Sequence, residues 1–493
     1  MKARCFSFTT IFRIVFLALS IMLCITACGP GETPSATDVP TATPSASDSP
    51  APTTGVICPG YAPEVKGKVS LLFHQAWTGI EKRSVENWVA NFERSHPKVE
   101  VETEITLLSQ DTIDAQIASN SIADVFFVKD SDVYKYAVTK DVLMPLDNYI
   151  SAFEIDTSNV LPQALELGRV DGRTYVIMRD YSHVVLCYNK TLIEYLAIDL
   201  EDPVELDKKG EWTWDTFKNY CERLTVKEEG NTTVIGASMR FGDSPLWIPF
   251  AEGLGEKWYD SVDKKVSFAS DDKVTAGIME MADAIKSGNM VFNPNGTITS
   301  VPVTRDDLVD FNSLDLAAQV VFQDIRISEF EAKGQTYIDN DVEWDIVSFP
   351  ALPTHKVGTS TSGFAVFNRN NNPDAAAALC LSLYTEEGQL AYHGQEGGSV
   401  PNIKNLRDQV FWRMPFEDKN HSEDGIYYDA FISHPEADTY GQVDCVVPKE
   451  IAEIITECMA NIIPESVNGT MDINTALATM EQQANALWAT MKE

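Results

Sequence analysis

A repeated alternation of strand and helix patterns constrains the fold of this chain more than any other feature of its sequence. Residues 69–73 are an apolar run typical of a buried strand, and apolar residues then recur at helical spacing over 85–92. Residues 99–105 alternate as a second strand, 113–118 begin a second helix, and 124–128 form a third strand pattern. Strands linked in this way through helices are typical of a mostly parallel sheet covered by helices. The sequence therefore predicts an α/β fold.

The same alternation returns further along the chain. Residues 175–177 and 184–188 are strand-like, Thr213 is placed as the N-cap of a helix, and 375–384 is a strongly apolar helix. The last helix carries apolar residues on one face between 477 and 491. A chain of 493 residues is long enough for two or three ordinary domains.

The first 27 residues have the pattern of a secretion signal. Three basic residues among the first 13 precede 14 uncharged residues, 14–27. That run is short for a bilayer-spanning helix, which needs about 20 apolar residues, and it fits the apolar part of a signal peptide. Residues 25–29 (ITACG) resemble the lipobox of bacterial lipoproteins, which implies that Cys28 is lipidated and becomes the mature N-terminus. A signal peptide cut elsewhere and an uncleaved anchor helix are the alternatives.

Residues 28–65 are dominated by Pro, Thr, Ser and Ala. Such a segment cannot bury enough apolar surface to fold, and its prolines keep it extended. We expect a linker that holds a globular body away from the membrane. A cleavable or functionless tail is the alternative.

Composition excludes several classes of partner and site. The chain has 38 Lys and Arg against 73 Asp and Glu, a formal net charge of −35. This charge repels phosphate backbones and anionic lipid, so we expect no nucleic acid and membrane contact only through the lipid anchor. The cysteines and histidines show no metal-ligand spacing, so no metal or cofactor is expected. The formation of one disulfide among the cysteines is left open, because the sequence does not show which would pair. Acidic alternation over 339–345 is interpreted as a solvated strand face, with a calcium ladder as the alternative.

A series of loose motifs runs in order from about residue 68 to the C-terminus. They are VSLLFHQAW (69–77), FERSHPKVEV (92–101), ADVF (123–126), LMPLD (143–147), DGRTY (171–175), LCYNK (186–190), WTWDTF (212–217), SGFAV (362–366), PDAAAA (373–378), TEEGQ (385–389) and VP (400–401). By these motifs the body resembles the family 1 extracellular solute-binding proteins of ABC importers, the group that includes maltose-binding protein. It departs from the family pattern at 317–324, which lacks the family's tryptophan.

The resemblance implies a two-lobed periplasmic-binding-protein-like fold (type II), with each lobe a mixed, mostly parallel sheet flanked by helices. It places chain crossings near 182–184 and 359–363, and a third within 420–440. The expected divisions are a signal peptide (1–27), the lipidated linker (28–65), lobe 1 (66–182 plus 363–430) and lobe 2 (183–362 plus 431–493). A solute that contacts both lobes only when they are closed shifts the open–closed equilibrium. The implied protein is a monomer on the extracellular face of the cell membrane that delivers its solute to ABC permease subunits.

The expected solute is a mono- or oligosaccharide, from the tendency of the family and the nine tryptophans. A sugar requires aromatic platforms for its C–H faces and polar or charged side chains for its hydroxyls. Some candidate ligand-binding residues lie at a predicted strand end, beside a crossing or in an irregular stretch: Trp77, Lys129, Asp130, Asp180, Tyr181, Trp247 and Trp258. Others are polar residues of lobe 2 that could supply contacts to a sugar: Asp243, Gln323, Asp324 and Arg326. Each tryptophan has a core position as its alternative, and Trp88 and Trp214 are assigned to the core outright.

An extracellular carbohydrate-active enzyme is the main competing interpretation, because aromatic residues and carboxylates also build catalytic clefts. The sequence has no GxSxG, HExxH, P-loop or GxGxxG motif, so we expect no enzyme and assign no catalytic residue. A binding protein for a peptide or a polyamine stays open. An adhesive surface protein would show repeats or β-sandwich patterning, and neither is present.

Overall fold

The computed structural model describes residues 62, 64–74, 79–196, 199–228, 231–292, 320–339, 342–354, 356–359, 361–394, 399–413, 425–433, 443–467 and 469–491. The described residues all belong to one unit of the chain, Val56–Glu493. The expected signal peptide, nearly all of the expected linker, Cys28 and Trp77 lie outside the described residues.

The described body alternates strands and helices along its length. The strands are β1 (Gly67–Phe73), β2 (Val99–Ile105), β3 (Val125–Lys129), β4 (Arg169–Val170), β5 (Arg173–Thr174), β6 (Val176–Met178), β7 (Val185–Asn189), β8 (Val226–Glu228), β9 (Asn231–Met239), β10 (Tyr259–Asp260), β11 (Lys265–Val266), β12 (Met290–Phe292), β13 (Val320–Ile325), β14 (Trp344–Ser348) and β15 (Ser362–Val366). The α-helices are α1 (Gly79–Ser95), α2 (Gln110–Ala118), α3 (Asp147–Ala152), α4 (Pro162–Leu167), α5 (Lys190–Tyr195), α6 (Pro203–Lys209), α7 (Trp214–Leu224), α8 (Ser244–Ala251), α9 (Asp272–Lys286), α10 (Ile327–Asp339), α11 (Pro373–Leu381), α12 (Glu386–His393), α13 (Lys404–Arg407), α14 (Lys449–Val467) and α15 (Ile473–Trp488).

The first sheet has the strand order β2-β1-β3-β15-β6. β1 is parallel to both β2 and β3, as the alternation at the start of the body predicts. β15 is antiparallel to β3 and to β6, with Phe364 opposite Phe127 on one side and Ile177 on the other. Because β15 returns from far along the chain, this part of the sheet depends on long-range pairing.

The second sheet has the order β12-β9-β13-β7-β14, and β8 pairs with β9. β9 is parallel to β12 and β13, whereas β7 is antiparallel to β13 and β14. In the main strand order of each sheet, parallel pairs lie on one side and antiparallel pairs on the other, and the short β8 adds an antiparallel pair to β9. The predicted α/β class with two mixed sheets is confirmed, but neither sheet is mostly parallel as expected, because β15 and β7 each pair antiparallel with both neighbours.

Local signals in the sequence fix several helix ends. α7 starts after Thr213, whose hydroxyl accepts a hydrogen bond from the backbone N–H of Thr216 at 3.2 Å, which confirms the predicted N-cap. α15 starts after Asp472, whose carboxylate accepts from the N–H of Thr475 at 2.9 Å. α6 ends at Lys209 and is followed by Gly210, which has a φ of 73° that favours glycine.

Three clusters of buried apolar side chains hold the body together. One surrounds the first sheet and includes Trp88 and Phe364. A second covers one face of the second sheet, contains Trp214 and takes in α14 and α15 from the end of the chain. A third covers the opposite face of the second sheet and includes Trp344 and Phe431. The assignment of Trp88 and Trp214 to the core is confirmed.

Three separate segments of the chain meet between the two sheets. His183 forms a β-bridge with Thr359, and the N–H of Val184 donates to the carbonyl of Gly358 at 2.8 Å. The N–H of His183 donates to the carbonyl of Phe431 at 3.1 Å. We call the part of the body built on the first sheet the first half and the part built on the second sheet the second half. The lobe boundaries stay a prediction, and Phe431 and its neighbours from 428 onward pack on the second sheet.

The interpretation of 339–345 as a solvated strand face is wrong at Asp345. This residue is buried on β14, and its Oδ1 accepts hydrogen bonds from the N–H groups of Ile346 and Tyr427, each at 2.8 Å. Burial raises the pKa of Asp345 to about 6. The sequence pattern missed this because the covering segment comes from a distant part of the chain. Asp341 lies outside the described residues.

In the described part of the chain, Cys187, Cys221, Cys380 and Cys458 are free thiols. Cys187, Cys221 and Cys380 are buried, and Cys445 and Cys458 are half-buried. Cys58 lies outside the described residues. Burial raises the pKa of the Cys380 thiol, which keeps it protonated and unreactive.

Candidate functional site

The candidate site begins where β3 ends. Lys129 is the last residue of the strand and is exposed, and Asp130 follows it in a short 3₁₀ turn with only 3% of its surface exposed. The Asp130 carboxylate accepts hydrogen bonds from the N–H of Ser131 at 2.8 Å and of Thr361 at 3.4 Å. Loss of hydration raises the pKa of Asp130 to about 7, although these bonds favour its charged form. The strand end thus presents one exposed cation and one buried carboxyl group.

Asp180 and Tyr181 lie beside the first crossing, as expected, but they are part of a buried network. Arg179 is its centre: its guanidinium contacts Glu81 at 3.2 Å and Asp180 at 3.3 Å. It also donates to the hydroxyl of Tyr392 at 3.0 Å. The other carboxylate oxygen of Asp180 accepts from the hydroxyl of Thr361 at 2.7 Å. The charges and bonds of Asp180 are therefore already matched within the first half of the body.

Tyr181 is fully buried and leaves no polar surface for a solute. Its N–H donates to the carbonyl of Val400 at 3.1 Å, and the Arg407 guanidinium lies 5.8 Å from the centre of its ring. The contacts of Asp180 and Tyr181 hold the crossing segment in place. This structural role explains why both residues are buried without a ligand.

In the second half, three charged side chains, those of Arg240, Asp324 and Glu329, gather at the ends of β9 and β13. Asp324 accepts from the Nε of Arg240 at 2.7 Å and from its backbone N–H at 2.9 Å. Arg240 also makes two hydrogen bonds to the Glu329 carboxylate, at 2.6 and 2.8 Å. Charge-assisted, two-pronged bonds of this kind are strong and fix the planes of both groups. They leave Asp324 committed to Arg240.

Arg326 and Asp243 form a second ion pair at this edge, and both side chains reach solvent. The N–H of Arg326 donates to Glu329 at 3.1 Å, which connects this pair to the Arg240 network. The structure thus brings together three of the predicted residues, Asp243, Asp324 and Arg326. The sequence analysis missed Arg240 and Glu329, because neither lies in a motif and only the fold shows that they touch the predicted residues.

Gln323 is fully buried on β13, one residue before Asp324. Within the described residues its carboxamide has no hydrogen-bond partner on either the oxygen or the nitrogen. Gln323 is therefore closed to solvent, whereas Asp243 and Arg326 are half-buried.

Trp247 and Trp258 lie in the core of the second half. Their ring centroids are 5.9 Å apart, and both rings pack on Phe268, at 5.8 and 5.3 Å. Both side chains are fully buried. A sugar platform must offer an open ring face, so the core alternative accounts for these residues and we do not include them in the proposed site.

We call the end of β3 with Lys129 and Asp130 the first edge, and the ends of β9 and β13 with Asp243 and Arg326 the second edge. The two edges lie near each other beside the crossing segments. Among the charges that act on the Asp130 carboxyl, Asp444 raises its pKa and Arg326 lowers it, and both belong to the second half. The turn at Val443–Cys445 contacts the turn at Asp130–Asp132. Asp444 could not have been selected from the sequence, because no periodic pattern or motif marks the stretch that contains it.

A cavity of about 560 Å³ lies in the second half, between α7, α8 and α9. Trp214, Phe250 and Leu352 line it, and none of the predicted ligand residues does. A volume of this size is ordinary for a ligand pocket. It is built from one half alone, however, so a solute bound there would not link the two halves.

The described residues show no arrangement for a metal: no group of three or more His, Cys, Asp or Glu side chains is placed to hold an ion. Of the helices that the structure describes, none has both the length and the apolar character needed to cross a membrane.

Comparison with solved structures supports the same architecture. The cyclic alpha-maltosyl-1,6-maltose binding protein from Arthrobacter globiformis has a TM-score of 0.65 and 15% identity, over 86% of this chain and all of that one. The sugar-binding protein MalE from Xanthomonas citri has a TM-score of 0.64 and 16% identity, over 86% and 98%. The ABC substrate-binding protein Lmo0181 from Listeria monocytogenes, solved with cycloalternan, has 0.61 and 17%, over 86% and 100%. At these identities the similarity shows the fold.

A short stretch also matches a curated protein of another kind. Over 133 residues the chain is 29% identical to the non-toxic nonhemagglutinin type E of Clostridium botulinum, which covers 24% of this chain and 11% of that protein. The chain thus spans about a tenth of this relative's length. The sequence model described as "Bacterial extracellular solute-binding protein" matches residues 76–390, well over half of the 493 residues. By that match, the chain belongs to the bacterial extracellular solute-binding protein family.

Proposed function

We propose that this protein is the substrate-binding component of an ABC importer and that it binds an oligosaccharide between its two halves. One observation carries the proposal: the turn Asp130–Asp132, at the polar strand end of the first half, contacts the turn Val443–Cys445 of the second half. Three chain segments connect the halves, so the halves can close around a solute and open again by small backbone changes. A solute that touches both edges would favour the closed form.

The sugar class is supported by chemistry and by the similar structures. Hydroxyl groups of a sugar both donate and accept hydrogen bonds, and the half-buried Asp243–Arg326 pair offers one acceptor and one set of donors. Similar structures carry names that refer to sugars: a cyclic alpha-maltosyl-1,6-maltose binding protein from Arthrobacter globiformis, a sugar-binding protein MalE from Xanthomonas citri, and a substrate-binding protein from Listeria monocytogenes in complex with cycloalternan. Lys129 and Trp77 are further proposed contacts on the first half.

The first test is a binding screen by thermal shift and calorimetry with the full chain. The panel contains linear maltooligosaccharides, cyclic glucose oligomers, unrelated sugars, short peptides and polyamines. A ligand that binds only the folded state raises stability by about 2.7 kcal/mol at a hundredfold excess over Kd. A response confined to one sugar class, with the sugar recovered unchanged, supports the proposal. Turnover of the sugar would instead support the carbohydrate-active enzyme.

A peptide or polyamine receptor is the second candidate, and the charge of the two edges favours it. The exposed or half-exposed groups there include Lys129, Asp243 and Arg326, while Trp247 and Trp258 are core residues. A response to peptides or polyamines with silence for every sugar would transfer the proposal to that class.

Once a sugar ligand is found, Asp243→Asn and Arg326→Gln should each weaken its binding about 10- to 100-fold. A lost hydrogen bond to a charged group costs roughly 1.5–3 kcal/mol. Calorimetry measures the effect, with Glu222→Gln as the control, since Glu222 is exposed on α7 in the same half. Unchanged affinity in both variants would place the ligand away from this edge.

We further propose that the protein is a monomer held on the extracellular face of the cell membrane by lipid on Cys28. Cys28→Ala should move most of the protein from the membrane fraction to the medium, because acyl chains supply about 0.8 kcal/mol of membrane binding per buried CH₂. Fractionation with an antibody measures this, and Cys58→Ala is the control that should stay anchored. A Cys28→Ala protein that remains in the membrane would indicate a retained helix.

A further inference from the structure

Two short turns, one from each half, meet beside the candidate site. The turn Asp130–Asp132 follows β3, and the turn Val443–Cys445 leads into α14, whose apolar face belongs to the core of the second half. Together they enclose a small cavity of about 100 Å³. Asp132 and Lys135 line it from the first half, and Asp444 and Lys449 line it from the second. Carboxylates from opposite halves therefore face one space.

At this contact it is unfavourable for Asp132 and Asp444 to be ionised at the same time. Loss of hydration and the charge of Asp132 raise the pKa of Asp444 to about 6, against the opposite effects of Lys449 and Lys135. Loss of hydration also raises the pKa of Asp132; Lys135, Lys129 and Lys449 lower it and Asp114 raises it. The nearby lysines thus offset only part of what burial and the like charge do.

We propose that the contact between these two turns is a proton-linked latch, in which a proton on Asp132 or Asp444 favours closure of the two halves. The inference rests on the proposed function only in assuming that the halves open and close. Separation of the turns would return both carboxylates to water and part their like charges. Closure then takes up a proton, and opening releases it.

The direction of the pH dependence follows from linkage. A carboxyl whose pKa is raised in the closed form binds its proton more tightly there, so closure becomes more favourable as pH falls through about 6 and less favourable as it rises. The pKa of Asp444 is about 6 with the two turns in contact, and we take its ordinary value of 3.8 for the separated turns. The ratio of closed to open protein should then rise about tenfold from pH 8 to pH 5. The hydrogen bond that Asp130 accepts from the N–H of Thr361 lies within the first half, since Thr361 directly precedes β15, and so does not depend on closure.

Small-angle X-ray scattering on the full chain without ligand tests the latch. The radius of gyration of the wild type should be smaller at pH 5 than at pH 8. Asp444→Asn, a neutral side chain of the same shape, should give the smaller radius at both pH values. Asp272→Asn, an exposed carboxylate of α9 outside the contact, should keep the wild-type response.

Two results would overturn the latch: an equal wild-type radius at both pH values, or a full pH response in Asp444→Asn. Far-UV circular dichroism checks that the variant folds, and Asp132→Asn provides the same test from the other turn if it does not. The sugar screen at pH 8 is independent of these measurements. Failure of every ligand there would contradict the proposed function and leave the ligand-free scattering result standing.

Discussion

Arg179→Met should lower the free energy of unfolding by about 3–5 kcal/mol, the usual cost of removing one partner from a buried charge network. Its guanidinium is buried and contacts the carboxylates of Glu81 and Asp180, the hydroxyl of Tyr392 and, at 2.9 Å, the hydroxyl of Ser362. Without it, two buried carboxylates would lie close together with no cation between them. Urea denaturation of the full chain, followed by circular dichroism, measures the loss.

Two further variants separate the network from a general effect of losing an arginine. Arg83→Met removes an exposed guanidinium from α1 and should change stability by less than about 0.5 kcal/mol. Arg179→Lys keeps the charge but cannot reproduce the several directed bonds, so it should fall between the two. If Arg179→Met were as stable as the wild type, the network would not hold the start of the crossing segment as we describe.

Trp247→Ala should cost about 3–5 kcal/mol of stability, the range for truncating a buried large aromatic residue. The indole is fully buried between Trp258 and Phe268, so truncation leaves a cavity in the core of the second half. Thermal and urea unfolding measure the effect. The same large loss would not follow if the ring were an exposed platform for a sugar.

Trp247→Phe distinguishes the core role from a binding role without unfolding the protein. In the described structure the indole Nε1 has no hydrogen-bond partner, so phenylalanine loses contact area but no polar bond. Because the phenyl ring fills part of the space of the indole, the cavity and the loss of stability should be smaller than in Trp247→Ala. We expect unchanged affinity for whichever sugar binds. A large loss of affinity with stability retained would return Trp247 to the ligand site.

Much of the candidate site could be placed from the sequence, because polar residues at the carboxyl ends of strands in open α/β sheets gather at one edge. That rule located Lys129 and Asp130 at the end of β3. Asp324 and Arg326 were selected only as polar residues suited to a sugar, and the structure places them at the end of β13. The rule could not supply Arg240, Glu329 or Asp444 as their neighbours. These contacts join positions far apart in the chain, and no local pattern encodes which distant side chain a carboxylate will meet.

The same division holds for the aromatic residues. Trp88 and Trp214 occupy helical apolar patterns, and the core role predicted from periodicity is confirmed. Trp247 and Trp258 stand outside such patterns, so the sequence left their role open between core and binding platform. Only the packing of Phe268 against both rings places them inside the second half.

The sequence by itself determined the order of strands and helices, the N-cap at Thr213 and the likeness to solute-binding proteins, because these depend on short-range periodicity and on motif order. The tertiary structure alone decided the antiparallel pairing of β15, the burial of Asp345 and the meeting of the turns at Asp132 and Asp444. Each of these joins segments distant in sequence. The hydration that a group loses and the charges it then faces are set by those long-range contacts, and they give the same residue type a different pKa and a different role.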